Sequence, residues 1–229
     1  MKDKPNEWVS ISDLMAGVMA VVMLMLVVSV LQNKAAEAAM TVEKQQMEAA
    51  RQEERSKGDA AQRASLSKLL AAMQSDLQRT GETDLVDIDI QNRRLTLPDN
   101  AFARGSACIT PAAKGALTLL SARVATFIQD YRQGQVLVEG HTDNLPVSRP
   151  VTDYERFCTV YDDNYTLSAA RAREARKLLI QALEPQQALR VVVAGYGDSR
   201  PKPGVDPASA LNRRVEVQLV VATQLPTAN

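Results

Sequence analysis

Basic excess is missing from this chain. Lys and Arg together number 27, as do Asp and Glu, so the 229 residues carry no formal net charge. A duplex-binding surface needs surplus cations to displace condensed counterions, so nucleic acid is not expected as a partner. Histidine occurs once, as His141. No Ser/His/Asp or Cys/His set, phosphate loop or metal-ligand cluster accompanies it, so no catalytic activity, no cofactor and no metal are expected. The two cysteines, Cys108 and Cys158, are too few for a disulfide scaffold and lack the spacing of a zinc site. In a reducing compartment they read as separate core thiols, and in an oxidising one as a single bridge.

Charge is also missing from residues 14–31, LMAGVMAVVMLMLVVSVL. With the flanking 8–13 segment this run covers the ~30 Å hydrocarbon thickness of a bilayer as a helix. It lacks the polar face of a soluble helix. A cleaved signal peptide is the rival reading, but the run exceeds the usual h-region and no turn precedes the Ala-rich stretch after Asn33. A retained anchor is therefore expected, spanning 9–32 after a cytoplasmic tail of 1–8. Lys2 and Lys4 before the helix and Lys34 after it give only a slight inside bias to the N-terminus.

Asp13 lies five residues past Trp8, an interfacial belt residue. Carboxylates at such depth are costly and commonly mark ion paths. An Asp at a helix start, favoured by the helix dipole, is the plainer account of the same position. Ala16, Gly17 and Ala20 nearby would allow other helices a close approach.

Proline is absent from 33–81, where Ala, Glu, Gln, Lys and Arg predominate. Six basic and six acidic residues between Lys34 and Arg63 balance one another. Leu66, Leu70, Met73 and Leu77 fall at helical spacing and are expected to form a short seam with a partner helix in a dimeric stalk. A flexible charged tether is the simpler reading.

Past Gly81 the pattern is mixed α/β. Strands are expected at 86–91, 94–97, 135–140, 190–197 and 213–221, and helices at 111–131 and 167–183, with Thr110 as cap and Pro111 in the first turn of the former. Together these make one domain over 82–222, followed by a tail at 223–229. Polar residues collect in VEGHTDN (138–144) and NYTLSAAR (164–171), where Leu167 and Arg171 share a helix face.

GHTDNLP, NYTLSAARA, GYGDSRP and LNRRVEV, in that order, resemble the motifs of the OmpA-like peptidoglycan-binding domain. The resemblance implies an α/β fold, a βαβαβ sandwich of mixed sheet and helices, in the periplasm. It also implies a site for the diaminopimelate of the wall peptide. Asp143 would accept from the ligand ammonium and Arg171 would pair with its carboxylate, with Thr142, Asn164, Leu167 and Arg213 lining the pocket. A periplasmic domain makes a Cys108–Cys158 disulfide the expectation. The stretch between Asp143 and Asn164 is longer than in simple members. The NxxLSAARA run and the Pro two residues after Asn144 resemble MotB, whose helix carries a membrane Asp where Asp13 stands. SISDLMAG resembles the MotB-like subunit of the Zorya anti-phage defence system, ZorB. These resemblances imply a homodimer inside a multi-helix MotA-like (ZorA-type) ring in the inner membrane. Ion flow, proton rather than sodium, would pass through Asp13. A flagellar stator subunit and a passive wall anchor are the alternatives.

Overall fold

The structure, a computed structural model, describes residues 7–221, with side chains at 14–34, 37 and 40–221. The lysines at 2 and 4 and the 223–229 tail lie outside the described residues, as do the side chains of Trp8 and Asp13.

Helix α1 runs from Glu7 to Thr80, and the chain divides within it into two compact units, 1–61 and 62–229. In the first unit, Leu14–Lys34 is long and apolar enough to cross a membrane. Its described large side chains are exposed, among them Leu14, Met19, Leu24 and Leu31. Residues 40–61 of α1 are almost wholly exposed as well. The proline-free, Ala/Glu/Lys/Arg-rich composition accounts for the unbroken helix.

The second unit begins inside α1. Leu66, Leu70, Met73 and Leu77 are each at most 1% exposed and belong to the same core as the sheet. This departs from the expected seam with a partner helix. Their i, i+4, i+7, i+11 spacing makes one apolar stripe, and that stripe packs on this chain's own domain. Asp76, on the same segment, pairs with Arg123 of the next helix at 2.8 Å, and with Arg79.

The sheet follows: β1 (Asp87–Asp89), β2 (Arg94–Pro98), β3 (Gly134–His141), β4 (Val191–Gly195) and β5 (Arg214–Val221), in spatial order β1-β2-β5-β3-β4. Only β3 and β4 pair in parallel. The β1–β2 hairpin turns through Asn92 and Arg93, the latter at φ 54°. Helices α2 (Pro111–Asp130), α3 (Tyr154–Phe157), α4 (Asn164–Leu179) and α5 (Pro185–Ala188) complete the unit. Thr110 caps α2 by accepting from the Ala113 amide, with Pro111 in the first turn, as expected. Helix α4 starts three residues earlier than its apolar pattern suggests, because Asp163 accepts from the Thr166 amide at 2.6 Å. That contact holds the Asp163 carboxyl below the usual carboxylate range.

Alternation sorts the strands into two faces. Leu95, Leu97, Val136, Val138, Val215, Val217 and Leu219 point into the core with Leu117, Leu120, Phe127 and Ala172 from the helices. Glu139, His141, Arg214 and Glu216 lie on the other face, also buried. The domain is thus a mixed α/β sandwich, as the sequence pattern implies, but its hydrophobic core reaches back to Leu66.

Candidate ligand site at the end of strand 3

Strand β3 runs straight into Thr142 and Asp143, and α4 lies across that strand end. Gly140 permits the crossing: a Cβ there would meet the Ser168 carbonyl oxygen at 1.9 Å. Since that neighbour is backbone, no side chain can yield to make room. The Thr142 amide donates to the Gly197 carbonyl at 2.8 Å, and the Asn144 amide to that of Pro207 at 3.1 Å. The Asn164 amide group donates to the carbonyls of Asp143 (3.2 Å) and Leu145 (2.9 Å). Asn164 therefore shapes the loop that presents Asp143. Leu167 is buried one turn below Arg171.

Arg171 is the largest fully buried side chain, only 2% exposed. Its Nε donates to the Ser106 carbonyl at 2.9 Å, its Nη1 to Asp99 Oδ1 at 3.2 Å, and its guanidinium lies 5.1 Å from the centre of the Phe102 ring. Nη2 donates to no partner among the described residues. Burial pulls the Arg171 pKa down while Asp99 pushes it back up. Arg213, the residue before β5, bridges two carboxylates: Nε to Asp99 Oδ2 at 3.0 Å and Nη1 to Asp143 Oδ2 at 2.6 Å. Its hydrogen bond to Asp143 raises its pKa. A continuous chain, Asp143–Arg213–Asp99–Arg171, thus alternates in charge and sums to zero. Thr142 Oγ1 is buried beside it and has no hydrogen-bond partner among the described residues.

All the residues expected at the site therefore gather at one strand end, with their roles divided. Asp143, Arg213 and Arg171 carry the charge, Asn164 holds the loop, and Leu167 packs. Asp143 and Arg171 are linked through Arg213 and Asp99 rather than directly. Asp99 and Ser106 are the residues missed by sequence reasoning. Asp99 follows β2 in a stretch with no motif of its own, and Ser106 acts through its backbone, which side-chain identity cannot reveal.

Cys108 and Cys158 are bonded, with Cα atoms 5.1 Å apart and a sequence separation of 50. That Cα distance lies well inside the range a disulfide can bridge.

On the opposite sheet face, ligand atoms of Glu139, His141 and Glu216 lie within 4.8 Å of one another. Glu216 already accepts from Arg214 Nε at 2.6 Å and Arg94 Nη1 at 2.8 Å. Glu139 accepts from the Tyr196 hydroxyl at 3.3 Å. Two guanidinium groups thus occupy Glu216, and their charge beside the cluster argues against a divalent cation there. Burial, aided by the neighbouring Arg214, Arg200 and Arg94 against the opposing pull of Glu216, pushes the His141 pKa down to about 4. The ring is therefore neutral at physiological pH.

Known proteins share the family and fold of this domain. Residues 101–214 match the OmpA family, a stretch that holds every residue expected to line the ligand site, while Asp99 and the ion-path candidate Asp13 lie before it. Among solved structures, a MotB-like protein from Desulfovibrio vulgaris is 21% identical at a TM-score of 0.53, over 70% of this chain and 96% of that one. The cell wall anchor of the T6SS from Pseudomonas aeruginosa is 29% identical at a TM-score of 0.47, over 65% and 95%. The periplasmic domain of Helicobacter pylori MotB (residues 78–256) is 24% identical at 0.42, over 59% and 80%. No curated protein matches the chain. The C-terminal domain of this chain is an OmpA-family domain carried behind an apolar N-terminal helix.

Proposed function

We propose that this chain is the peptidoglycan-anchored subunit of an ion-driven stator, with its N-terminus in the cytoplasm and its OmpA-family domain in the periplasm. The observation that carries the anchoring half is the Asp143–Arg213–Asp99–Arg171 chain. It keeps a buried guanidinium on Asp99 at 3.2 Å, joined through Arg213 to Asp143, whose carboxylate Arg213 occupies at 2.6 Å. A diaminopimelate end supplies an ammonium and a carboxylate. The ammonium would take the place of Arg213 at Asp143, and the carboxylate would accept from Arg171 Nη2. Thr142 Oγ1 offers a further hydrogen bond.

The motor half is supported by Asp13, placed in helix α1 one residue before the Leu14–Lys34 span. Two copies inside a MotA-like ring would let each Asp13 bind and release a proton. One charge crossing 100 mV supplies about 2.3 kcal/mol. A passive anchor gains nothing from a carboxylate there. The SISDLMAG likeness favours the Zorya defence type, with a ZorA-type ring, over the flagellar one.

Retention of the detergent-solubilised full chain on purified peptidoglycan tests the anchor. Arg171 is buried and hydrogen-bonded to the Ser106 backbone, so truncation to Ala would disturb the core, and Arg171→Gln is the better probe. Asp143→Asn and Arg171→Gln are each expected to weaken binding by about 2–5 kcal/mol, with an unchanged circular dichroism spectrum. Retention equal to wild type in both variants would remove the site.

A further inference from the structure

Residues 145–163 lie between the Asp143 loop and α4, and four contacts fasten them to the 105–108 loop. The Tyr161 hydroxyl donates to the Gly105 carbonyl at 2.6 Å. The Phe157 carbonyl accepts from both the Ser106 hydroxyl at 2.9 Å and the Ala107 amide at 3.0 Å. Cys158 closes the disulfide to Cys108. The insert is itself pinned by the Val151–Tyr161 bridge and by Arg173, which donates to the Cys158 carbonyl at 3.0 Å. On its other side the 105–108 loop faces the ligand site, where the Ser106 carbonyl accepts from Arg171 Nε. Ser106 and Ala107 are at most 1% exposed. An arginine fork recognises a carboxylate through its direction as well as its charge, so whatever fixes Nε also aims Nη2.

We propose that the 145–163 insert is a positioning element of the ligand site, and that the Cys108–Cys158 bond makes binding depend on the oxidation state of the pair. The proposal rests on the anchoring reading for the ligand and on this chain's own contacts for the positioning. A dithiol reductant would cleave the S–S bond, giving two thiols and the oxidised, disulfide form of the reductant. Freed of its covalent bolt, the insert would hold the 105–108 loop by hydrogen bonds alone. The Ser106 carbonyl would then drift from Arg171, leaving Asp99 as the fork's one fixed partner and its aim uncertain. Exchange with an added small-molecule disulfide, itself reduced to its thiols, re-forms the bond and restores the site.

The test uses the full chain in detergent, oxidised, reduced with dithiothreitol and reoxidised, together with an oxidised Tyr161→Phe variant. Three readouts are compared: retention on peptidoglycan, circular dichroism, and the Arg171 Nε–H nuclear magnetic resonance signal, which reports its bond to Ser106. Reduction is expected to weaken binding about tenfold to a hundredfold, the range for losing a hydrogen bond to a charged group. Exchange of the Arg171 Nε–H should quicken, and both changes should reverse on reoxidation. Tyr161→Phe should weaken binding severalfold with its fold intact, which keeps the idea testable if the reduced protein melts. Equal binding and an unchanged Arg171 signal in the folded reduced protein and in Tyr161→Phe would overturn the proposal. Oxidised protein that never binds peptidoglycan, yet whose Arg171 signal still responds to reduction, would sink the anchoring reading while upholding the positioning.

Discussion

Removing residues 62–81 should unfold the C-terminal domain, although every motif of the ligand site lies beyond them. Leu66, Leu70, Met73 and Leu77 are at most 1% exposed and contribute to one core with β2, β3, β5 and α2. Full burial of such a side chain is worth about 1.5–3 kcal/mol. The four together approach roughly 6–12 kcal/mol, comparable with the ~5–15 kcal/mol stability of a whole domain. Deletion also takes Asp76 from Arg123, though that arginine's 38% exposure makes the loss small. Guanidinium melts of the 62–229 and 82–229 fragments measure the effect. The first should unfold cooperatively, and the second should be unfolded or molten.

Single substitutions sharpen the point. Leu70→Ala in the longer fragment should cost about 2–5 kcal/mol, while Met47→Ala in the full chain, at a side chain 55% exposed, should stay within about 0.5 kcal/mol. A seam between two copies would behave differently, because a midpoint set by dimerisation moves with protein concentration. If 82–229 melts at the same midpoint as 62–229, or if the Leu70→Ala effect varies with concentration, the intramolecular packing argument is wrong.

Asp13→Asn should abolish biological activity while leaving copurification with the ring partner intact, since an amide keeps the shape but cannot cycle a proton; an active Asn variant would refute the ion path. Domain stability should fall with acid through His141. Its folded pKa of about 4 lies below the ordinary 6.5, so the unfolded state takes up the proton first. The stabilisation is complete above about pH 6.5 and is lost as pH drops toward 4, by at most about 3 kcal/mol. Denaturant melts of wild type and His141→Gln between pH 4 and 7 measure it, and parallel curves would exclude His141 as the cause.

How much of this was legible in the sequence differs from element to element. The strands 94–97, 135–140 and 213–221 were plain because one face is apolar, and β2, β3 and β5 fall there with ends shifted by about one residue. Helix α4 began earlier than its apolar spacing implied, since Asp163, a polar cap, sets its start. The 66–77 stripe was visible as a stripe, but periodicity says only that a helix buries one face, never against what. At the site, Asp143, Arg171 and Arg213 were found through ordered motifs that share a strand end. Asp99 escaped because its partners are 72 residues and more away in sequence and no local pattern marks it. The disulfide was legible only once the compartment had been inferred, since composition alone left two separate thiols equally open.

Charge bookkeeping at the site leads to a last expectation. The resting chain pairs two carboxylates with two guanidinium groups, and a zwitterionic ligand end brings one charge of each sign. Binding therefore exchanges partners without changing the net charge, and the two groups that would take the ligand are withdrawn from water, Asp143 at 5% and Arg171 at 2% exposed, while Arg213 and Asp99 keep 31% and 34% side-chain exposure. Salt screens long-range attraction between exposed charges far more than it screens buried pairs. The affinity for peptidoglycan should accordingly vary by less than about threefold between low and physiological ionic strength. It should nevertheless collapse when Asp143 alone is neutralised, because Arg213 then keeps only Asp99 and the ammonium has no acceptor. Retention measured across a salt series, with wild type and Asp143→Asn side by side, separates the two effects. A steep fall of wild-type binding with salt would mean that exposed surface charge, and not this buried exchange, holds the wall.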